Sequence, residues 1–252
     1  ILNWHIPSLL FLTSLFIAII FWICSFARHQ LFQSNFDLIL FDQWIWLISK
    51  GLSPISSITN WHVLSDHAAW ILYFFGLLYK LSSNVNWLFF SQAIGLAFTS
   101  IPIWLIARNS RISYRNSWII CCIWWMQPIV FNVNLADFHP EVVSMPALAF
   151  SYLFLRLNKF ALWFLCLLFM IGCRDGMILI IFGIFIENMI RRNWKYSLTA
   201  LFISIGWFLF IQNLLFPYLQ NTNNSLEGAT TSTVSQFVDF YSTPLNSLLD
   251  IN

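Results

Sequence analysis

Residues 87–107, WLFFSQAIGLAFTSIPIWLIA, decide the fold class, because they form a long apolar run without a charged side chain. A helix needs about 20 consecutive apolar residues to cross the hydrocarbon core of a bilayer. An α-helix also bonds its backbone polar groups within its own segment, as a lipid environment requires. The run therefore predicts a transmembrane helix.

The composition of the whole chain extends this prediction. Of 252 residues, 59% are hydrophobic and 9% are charged, whereas a soluble domain carries about 25% charged residues. The 14 Trp residues suit the boundary between lipid and water. The net charge of +2 is too small to indicate a nucleic-acid partner. We expect a polytopic, all-α membrane protein.

The apolar runs predict one membrane domain over residues 1–252, with about seven spans, several of them near 14 residues and therefore short for a bilayer. They cover residues 7–27, 87–107, 117–135, 142–155, 160–173, 177–190 and 197–216. Residues 28–66 form a mixed loop, in which Phe36, Leu40, Trp44 and Leu47 share one helical face and predict an interfacial helix. Residues 67–81 are apolar but short, and residues 217–252 form a polar tail.

Basic residues predict the orientation, since Lys and Arg concentrate in cytoplasmic loops. Three short loops carry most of the 12 basic residues: Arg108, Arg111 and Arg115, then Arg156 and Lys159, then Arg191, Arg192 and Lys195. We expect these loops and the N-terminus to be cytoplasmic. The loop 28–66 and the acidic motifs then face outward, provided that residues 67–81 do not cross.

Two acids begin the interfacial helix, in FDLILFDQ. Asp37 and Asp42 lie about 140° apart on a helix, so at most one is expected to point into a site. The alternative is that both only solvate the helix.

A second motif is HVLSDHAAW, with His62, Asp66 and His67. Asp66 could cap the apolar helix that follows, which leaves His67 unexplained. A metal site would need three or four converging ligands, so the motif leaves the question of a metal open.

The segment DFHPE joins two spans. Pro140 suits the first turn of a helix, and Glu141 suits the positive helix end. Asp137 and His139 are not needed to start a helix, which favours a role for them in a functional site.

In CRDG, Arg174 and Asp175 either form a local pair at a tight turn or act in a site, where the guanidinium would bind a phosphate in bidentate geometry.

Other classes lack support in the sequence. It contains no Walker loop and no G-x-G-x-x-G, H-E-x-x-H or G-x-S-x-G motif, so nucleotide-driven transport is not expected. The five cysteines lie in or beside apolar runs without a C-x-x-C pair. They predict small buried hydrophobic residues, not disulfides or a zinc site.

FDLILFDQWIWLISKG, HVLSDHAAWILYFF, FNVNLADFHPE and CRDG, in this order, resemble an uncharacterised bacterial membrane-protein family, domain of unknown function two thousand seventy-nine. The resemblance covers residues 35–218. The family is grouped with the GT-C superfamily of membrane glycosyltransferases, which use a lipid-phosphate sugar donor and a carboxylate in the first outer loop. Relatives are longer, so this chain is expected to be an N-terminal portion.

The resemblance implies a GT-C-like bundle in the bacterial inner membrane and transfer of a hexosyl or pentosyl group from a polyprenyl-phosphate sugar. Asp37 matches the first-loop acid, and Asp137 an acid of the second outer loop. Substrate binding is expected from the other motif residues: Asp42, Asp66, His67, His139, Glu141, Arg174 and Asp175. Relatives carry a further acid where Gly176 stands here. Participation of a divalent cation is left open. A transporter or lipid-handling protein, or a membrane protein without chemistry, is the alternative.

Overall fold

The computed structural model describes residues 5–223, with residues 220–223 described by their backbone alone. This part of the chain is 78% helical and contains no strand, as the apolar runs predict. Three continuous helical stretches are long and apolar enough to cross a membrane: Ser8–Gln30, Asn86–Asn109 and Trp194–Leu219. The pair Tyr114–Met126 and Pro128–Leu135, bent by 42°, would be a fourth.

The helices of the first half, in chain order, are α1 (Ser8–Gln30), α2 (Phe36–Ser49), α3 (Val63–His67), α4 (Ile71–Leu81), α5 (Asn86–Phe98), α6 (Ser100–Asn109), α7 (Tyr114–Met126) and α8 (Pro128–Leu135). A 3₁₀ turn, Pro140–Ser144, leads into α9 (Met145–Arg156). Then follow α10 (Phe160–Cys173), α11 (Met177–Ile190), α12 (Trp194–Phe210), a π-helical segment at Ile211–Leu215 and α13 (Phe216–Asn223).

Prolines explain why two apolar helical stretches are divided, one between α5 and α6 and the other between α7 and α8. Pro102 has no N–H to donate to the carbonyl of Phe98, and α5 ends at Phe98. Trp124 and Trp125 pack at this break and donate their indole N–H groups to Leu96 O (2.8 Å) and Ala97 O (3.0 Å). Pro128 forces an extended conformation on the residue before it, which bends α7 against α8.

Large apolar side chains cover much of the outer surface. On α1, Leu9 and Phe16 are each about six-tenths exposed, and Phe202 on α12 is 75% exposed. Apolar area on this scale suits lipid as a solvent, as expected for a membrane protein.

The prediction for α2 is correct for the helix and correct only in part for its face. Leu40 and Trp44 of the predicted face are buried, whereas Phe36 is 51% exposed. Leu38 and Phe41, outside that face, are buried too. The helix is apolar on nearly every side, so composition alone did not indicate which face packs against α4.

The chain leaves α1 and enters α5 at the same end of the bundle. The rings of His29 and Phe89 lie 5.4 Å apart, and Trp22 donates to the side chain of Asn86 (3.3 Å). Helices α2, α3 and α4 therefore fold back on themselves at this end.

The five cysteines are free. Cys121 and Cys173 are buried as predicted, but Cys122 is exposed on the apolar surface of α7.

Candidate functional site

Five ionisable side chains singled out in the sequence line one small cavity, called here the polar cavity. It has a volume of about 30 Å³ and an apolar floor formed by Leu40, Phe41 and Trp44. Its polar lining comes from α2, α3, the α8–α9 connection and the turn after α10: Asp37, Asp66, His67, His139 and Arg174. A cavity of this volume can hold a water molecule or a single small ion.

The side chain of Gln92, fully buried on α5, positions the α8–α9 connection. Its amide nitrogen lies 3.2–3.3 Å from three carbonyl oxygens around the end of α8, those of Val133, Asn134 and Ala136. Its oxygen accepts from the backbone N–H of His139 (3.0 Å). Gln92 thus satisfies backbone groups that the end of α8 leaves without helical partners. We did not predict this role, although an amide inside an apolar span was the available signal.

Asp137 lies beneath the cavity, not in its lining. Its side chain is 1% exposed and accepts from Arg28 Nη1 (3.1 Å) and from the backbone N–H of Asn35. Arg28 also donates to Leu135 O (2.6 Å). The carboxylate therefore joins the end of α1 to the start of α2 and the end of α8. No local pattern in the sequence indicates the role of Arg28, because its partner lies more than 100 residues away.

His139 connects this buried pair to the cavity. Its Nδ1 lies 2.7 Å from Asp137 O, and because a carbonyl only accepts, Nδ1 carries a proton. Its Nε2 lies 3.5 Å from a carboxylate oxygen of Asp37, whose side chain is 54% exposed. Asp37 therefore lies beside His139 and is still accessible to a substrate. The ring can donate to the Asp37 carboxylate only when both of its nitrogens carry a proton.

His67 and Asp66 are in contact at a place where burial disfavours the charged form of both side chains. Their closest atoms are 3.3 Å apart. Burial, opposed by the charge of Arg174 and assisted by the nearby Asp175 and Asp37, raises the pKa of Asp66 to about 7. Burial and the charge of Arg174 lower the pKa of His67 to about 3. Near neutral pH the imidazole is therefore uncharged, and the protonated carboxyl can donate to it.

Arg174 approaches the same ring nitrogen of His67 as Asp66 does. Its Nη2 lies 3.4 Å from His67 Nε2, and its Nη1 donates to Glu141. The second carboxylate oxygen of Glu141 is buried and has no hydrogen-bond partner within residues 5–223. The interpretation of Arg174 and Asp175 as a local pair is wrong, because Arg174 pairs with an acid on another segment.

Asp175 instead supports the turn. It accepts from the N–H of Gly176 (2.8 Å), lies 3.9 Å from His67 Nδ1, and donates its own N–H to His67 O (2.9 Å). Burial raises its pKa.

Two further predictions concern helix starts. Pro140 does begin a helical turn, with Glu141 in that first turn. Asp66 does not cap the following helix, because it lies inside α3. The N-cap residue of α4 is Trp70, which makes no side-chain capping bond. The cap of α3 is His62, whose ring accepts from the N–H of Leu64 (3.2 Å).

Asp42 lies outside the polar cavity. It accepts a hydrogen bond from the hydroxyl of Tyr79 on α4 (2.6 Å). Asp37 and Asp42 thus face different surroundings, as their spacing on the helix predicts.

An open apolar groove lies next to the polar cavity, with a volume of about 790 Å³. Six of its lining residues, from α4, α9 and α10 and their approaches, are Trp70, Phe74, Val143, Phe150, Leu165 and Phe169. Phe138, fully buried, separates the groove from the cavity and contacts Phe75 (5.2 Å) and Phe41 (5.7 Å). Trp70 packs on Gly172, where an added Cβ would lie 2.2 Å from its ring.

Within the part of the chain that the structure describes, no group of three or more His, Cys, Asp and Glu side chains is placed to hold a metal ion. The involvement of a divalent cation stays a prediction.

Comparison with known proteins gives one match. A family model described as "Predicted membrane protein (DUF2079)" matches residues 28–250. No curated protein and no solved structure matches the chain.

Proposed function

The chain belongs to the DUF2079 family of predicted membrane proteins, and we propose that it is a GT-C-like glycosyltransferase that uses a lipid-phosphate sugar donor. One observation carries the proposal: an accessible carboxylate and an arginine line the same cavity, which adjoins an open apolar groove. An amphiphilic donor needs all three features. Because the cavity has room only for a water molecule or a small ion, the sugar would lie at its mouth, beside the half-exposed Asp37.

Asp37 is the proposed general base. It accepts the proton of an acceptor hydroxyl while that oxygen bonds to the anomeric carbon of the sugar. The bond between the anomeric carbon and the phosphate oxygen breaks, and the lipid phosphate leaves with the electron pair. The doubly protonated form of His139, whose Nε2 lies 3.5 Å from the Asp37 carboxylate, would hold that carboxylate by donating to it. Asp137 acts only by positioning the segment that carries His139.

Arg174 is the proposed phosphate ligand. A guanidinium has five N–H donors, and the contacts with Glu141 and His67 engage one donor on each of Nη1 and Nη2. The remaining donors can bind phosphate oxygens and stabilise the charge that develops on the leaving group. Because Glu141 already neutralises Arg174 in part, phosphate must compete with this carboxylate. A divalent cation bound with the donor is one way to relieve that competition.

The apolar groove would hold the first part of the polyprenyl chain. Trp70 stands three residues after His67, and Val143 two residues after Glu141. The groove therefore begins beside the residues that would bind the phosphate. Burial of apolar surface is worth about 25 cal/mol per Å², so a hydrocarbon chain there contributes affinity without contacting the reacting atoms.

The bacterial inner membrane is the proposed location, with the N-terminus cytoplasmic and the cavity outside. The basic loops support this orientation. So does the return of α2, α3 and α4 to the end of the bundle where α1 ends, because residues 67–81 then need not cross. The ionisable groups lie at helix ends, whereas transporter sites lie near the bilayer midplane, which favours the enzyme over the transporter.

The test is donor consumption by membranes that contain the protein, supplied with radiolabelled polyprenyl-phosphate hexose and pentose. We expect label to move from the lipid fraction to an acceptor, and Arg174→Gln to raise the KM for the donor. Glu187→Gln, an acid distant from the cavity, is the control. Donor consumption no greater than in membranes without the protein would overturn the proposal.

A further inference from the structure

The end of the bundle opposite the polar cavity is strongly basic. Helix α9 starts beside Glu141 and runs away from the cavity to Arg156. Basic side chains gather where α6, α9 and α11 end and where the next helices begin: Arg108, Arg111, Arg115, Arg156, Lys159, Arg191, Arg192 and Lys195. Within residues 5–223, the only acid at this end is Glu187, which pairs with Arg191 (3.0 Å).

A second apolar groove, called here the α6–α9 groove, leads to this basic end. Its volume is about 360 Å³, and its lining includes Ile103, Ile106, Leu148, Ala149, Tyr152 and Arg156. From Met145 to Arg156, α9 rises about 17 Å. That is slightly more than one leaflet of a hydrocarbon core about 30 Å thick.

Arg156 closes the groove at its basic end. Its Nη1 donates to the hydroxyl of Ser110, which follows α6 (2.7 Å). This bond holds the guanidinium across the mouth of the groove and uses one of its five N–H donors. Arg108 also makes one such bond, to the carbonyl of Ile112, but it does not line the groove. Arg156 is thus an oriented cation at the basic end of the α6–α9 groove.

We propose that the α6–α9 groove binds an anionic phospholipid. One acyl chain lies between α6 and α9 against Ile103 and Leu148, and the headgroup phosphate binds Arg156. The surrounding basic residues favour a headgroup with net negative charge over a zwitterionic one. This site is separate from the polar cavity and does not depend on the proposed glycosyl transfer.

The geometry favours a lipid over a free phosphate ion. The apolar walls run directly into the position of the guanidinium, so chain and phosphate can be held together. Free phosphate would gain only an exposed ionic contact, which salt screens.

The experiment is native mass spectrometry of the purified protein, exchanged into equal amounts of phosphatidylglycerol and phosphatidylcholine. We expect one retained phosphatidylglycerol per chain. Arg156→Gln should lower its relative affinity about fivefold, as expected for one basic residue near a headgroup. Lys159→Gln, which removes a charge at the same end outside the groove, should change it much less.

A second pair of variants tests the groove itself. Ala149→Trp fills the α6–α9 groove, whereas Ala147→Trp places the same side chain in the other groove of α9. Loss of the retained lipid only in Ala149→Trp supports the site. Equal effects of the two glutamine variants, or retention of the lipid in Ala149→Trp, would overturn it. Free phosphate displacing the lipid would also count against it.

Discussion

Asp66→Asn should make the protein more stable at alkaline pH. The unfolded carboxyl has the ordinary pKa of 3.8, whereas burial raises the pKa in the folded chain to about 7. The folded state therefore keeps a proton that the unfolded state releases, and the wild type loses stability as pH rises from about 4 to about 7. Asparagine has no proton to lose and avoids this loss.

The size of the effect follows from the shift in the pKa of Asp66. At 1.36 kcal/mol per pKa unit, the shift corresponds to about 4 kcal/mol between pH 4 and pH 8.5. For a chain of this size, such a difference moves the midpoint of thermal unfolding by about 8–16 °C. His67 has its pKa lowered to about 3, so it costs stability as pH falls below 6.5. Because both proteins contain His67, the difference between them isolates Asp66.

The assay is thermal unfolding of both purified proteins in one detergent, at pH 4, 6 and 8.5. We expect similar midpoints at pH 4 and a higher midpoint for Asp66→Asn at pH 8.5. A difference between the proteins that does not change with pH would refute the account of Asp66 as a carboxyl kept neutral by burial.

Two further substitutions test how the site is supported. Arg28→Ala leaves the carboxylate of Asp137 buried without its charge partner and should destabilise the protein by about 3–5 kcal/mol. The double variant Arg28→Ala/Asp137→Asn should recover part of this stability. If it recovers none, the two side chains do not act as a pair. Gly172→Ala places a methyl group against the ring of Trp70 and should cost about 1–3 kcal/mol, whereas Gly183→Ala, with open space at its Cβ, should cost nothing measurable in the same unfolding assay.

The sequence predicted best where local pattern alone decides structure. Helices α10 and α11 have the predicted bounds, 160–173 and 177–190, because charged residues interrupt otherwise continuous apolar runs. The different surroundings of Asp37 and Asp42 followed from helix geometry. The start of α9 differs from the predicted residue 142, because residues 140–144 form a 3₁₀ turn. Apolar content does not distinguish such a turn from an α-helix.

The partners within the site could not be predicted in the same way. Arg28 with Asp137, Gln92 with the end of α8, and Arg174 with Glu141 join segments far apart in the sequence. Apolar periodicity sets which residues form helices, but all helices here are apolar on several faces. Apolar periodicity therefore does not determine which helix faces pack together. Because the packing of the helices decides which ionisable groups meet, their partners could not be predicted.

Asp37 is the proposed base of the transfer reaction. A comparison of Asp37 with Asp42, a second acid on the same helix, tests this role. Asp37→Asn and Asp42→Asn should be assayed for sugar transfer from the lipid donor, with donor binding measured alongside. Asp37→Asn should lower the rate at least about 100-fold, the usual contribution of a general base, with donor binding retained. Asp42→Asn should keep most of its activity. Equal rates for the two variants, or full transfer by Asp37→Asn, would contradict the account.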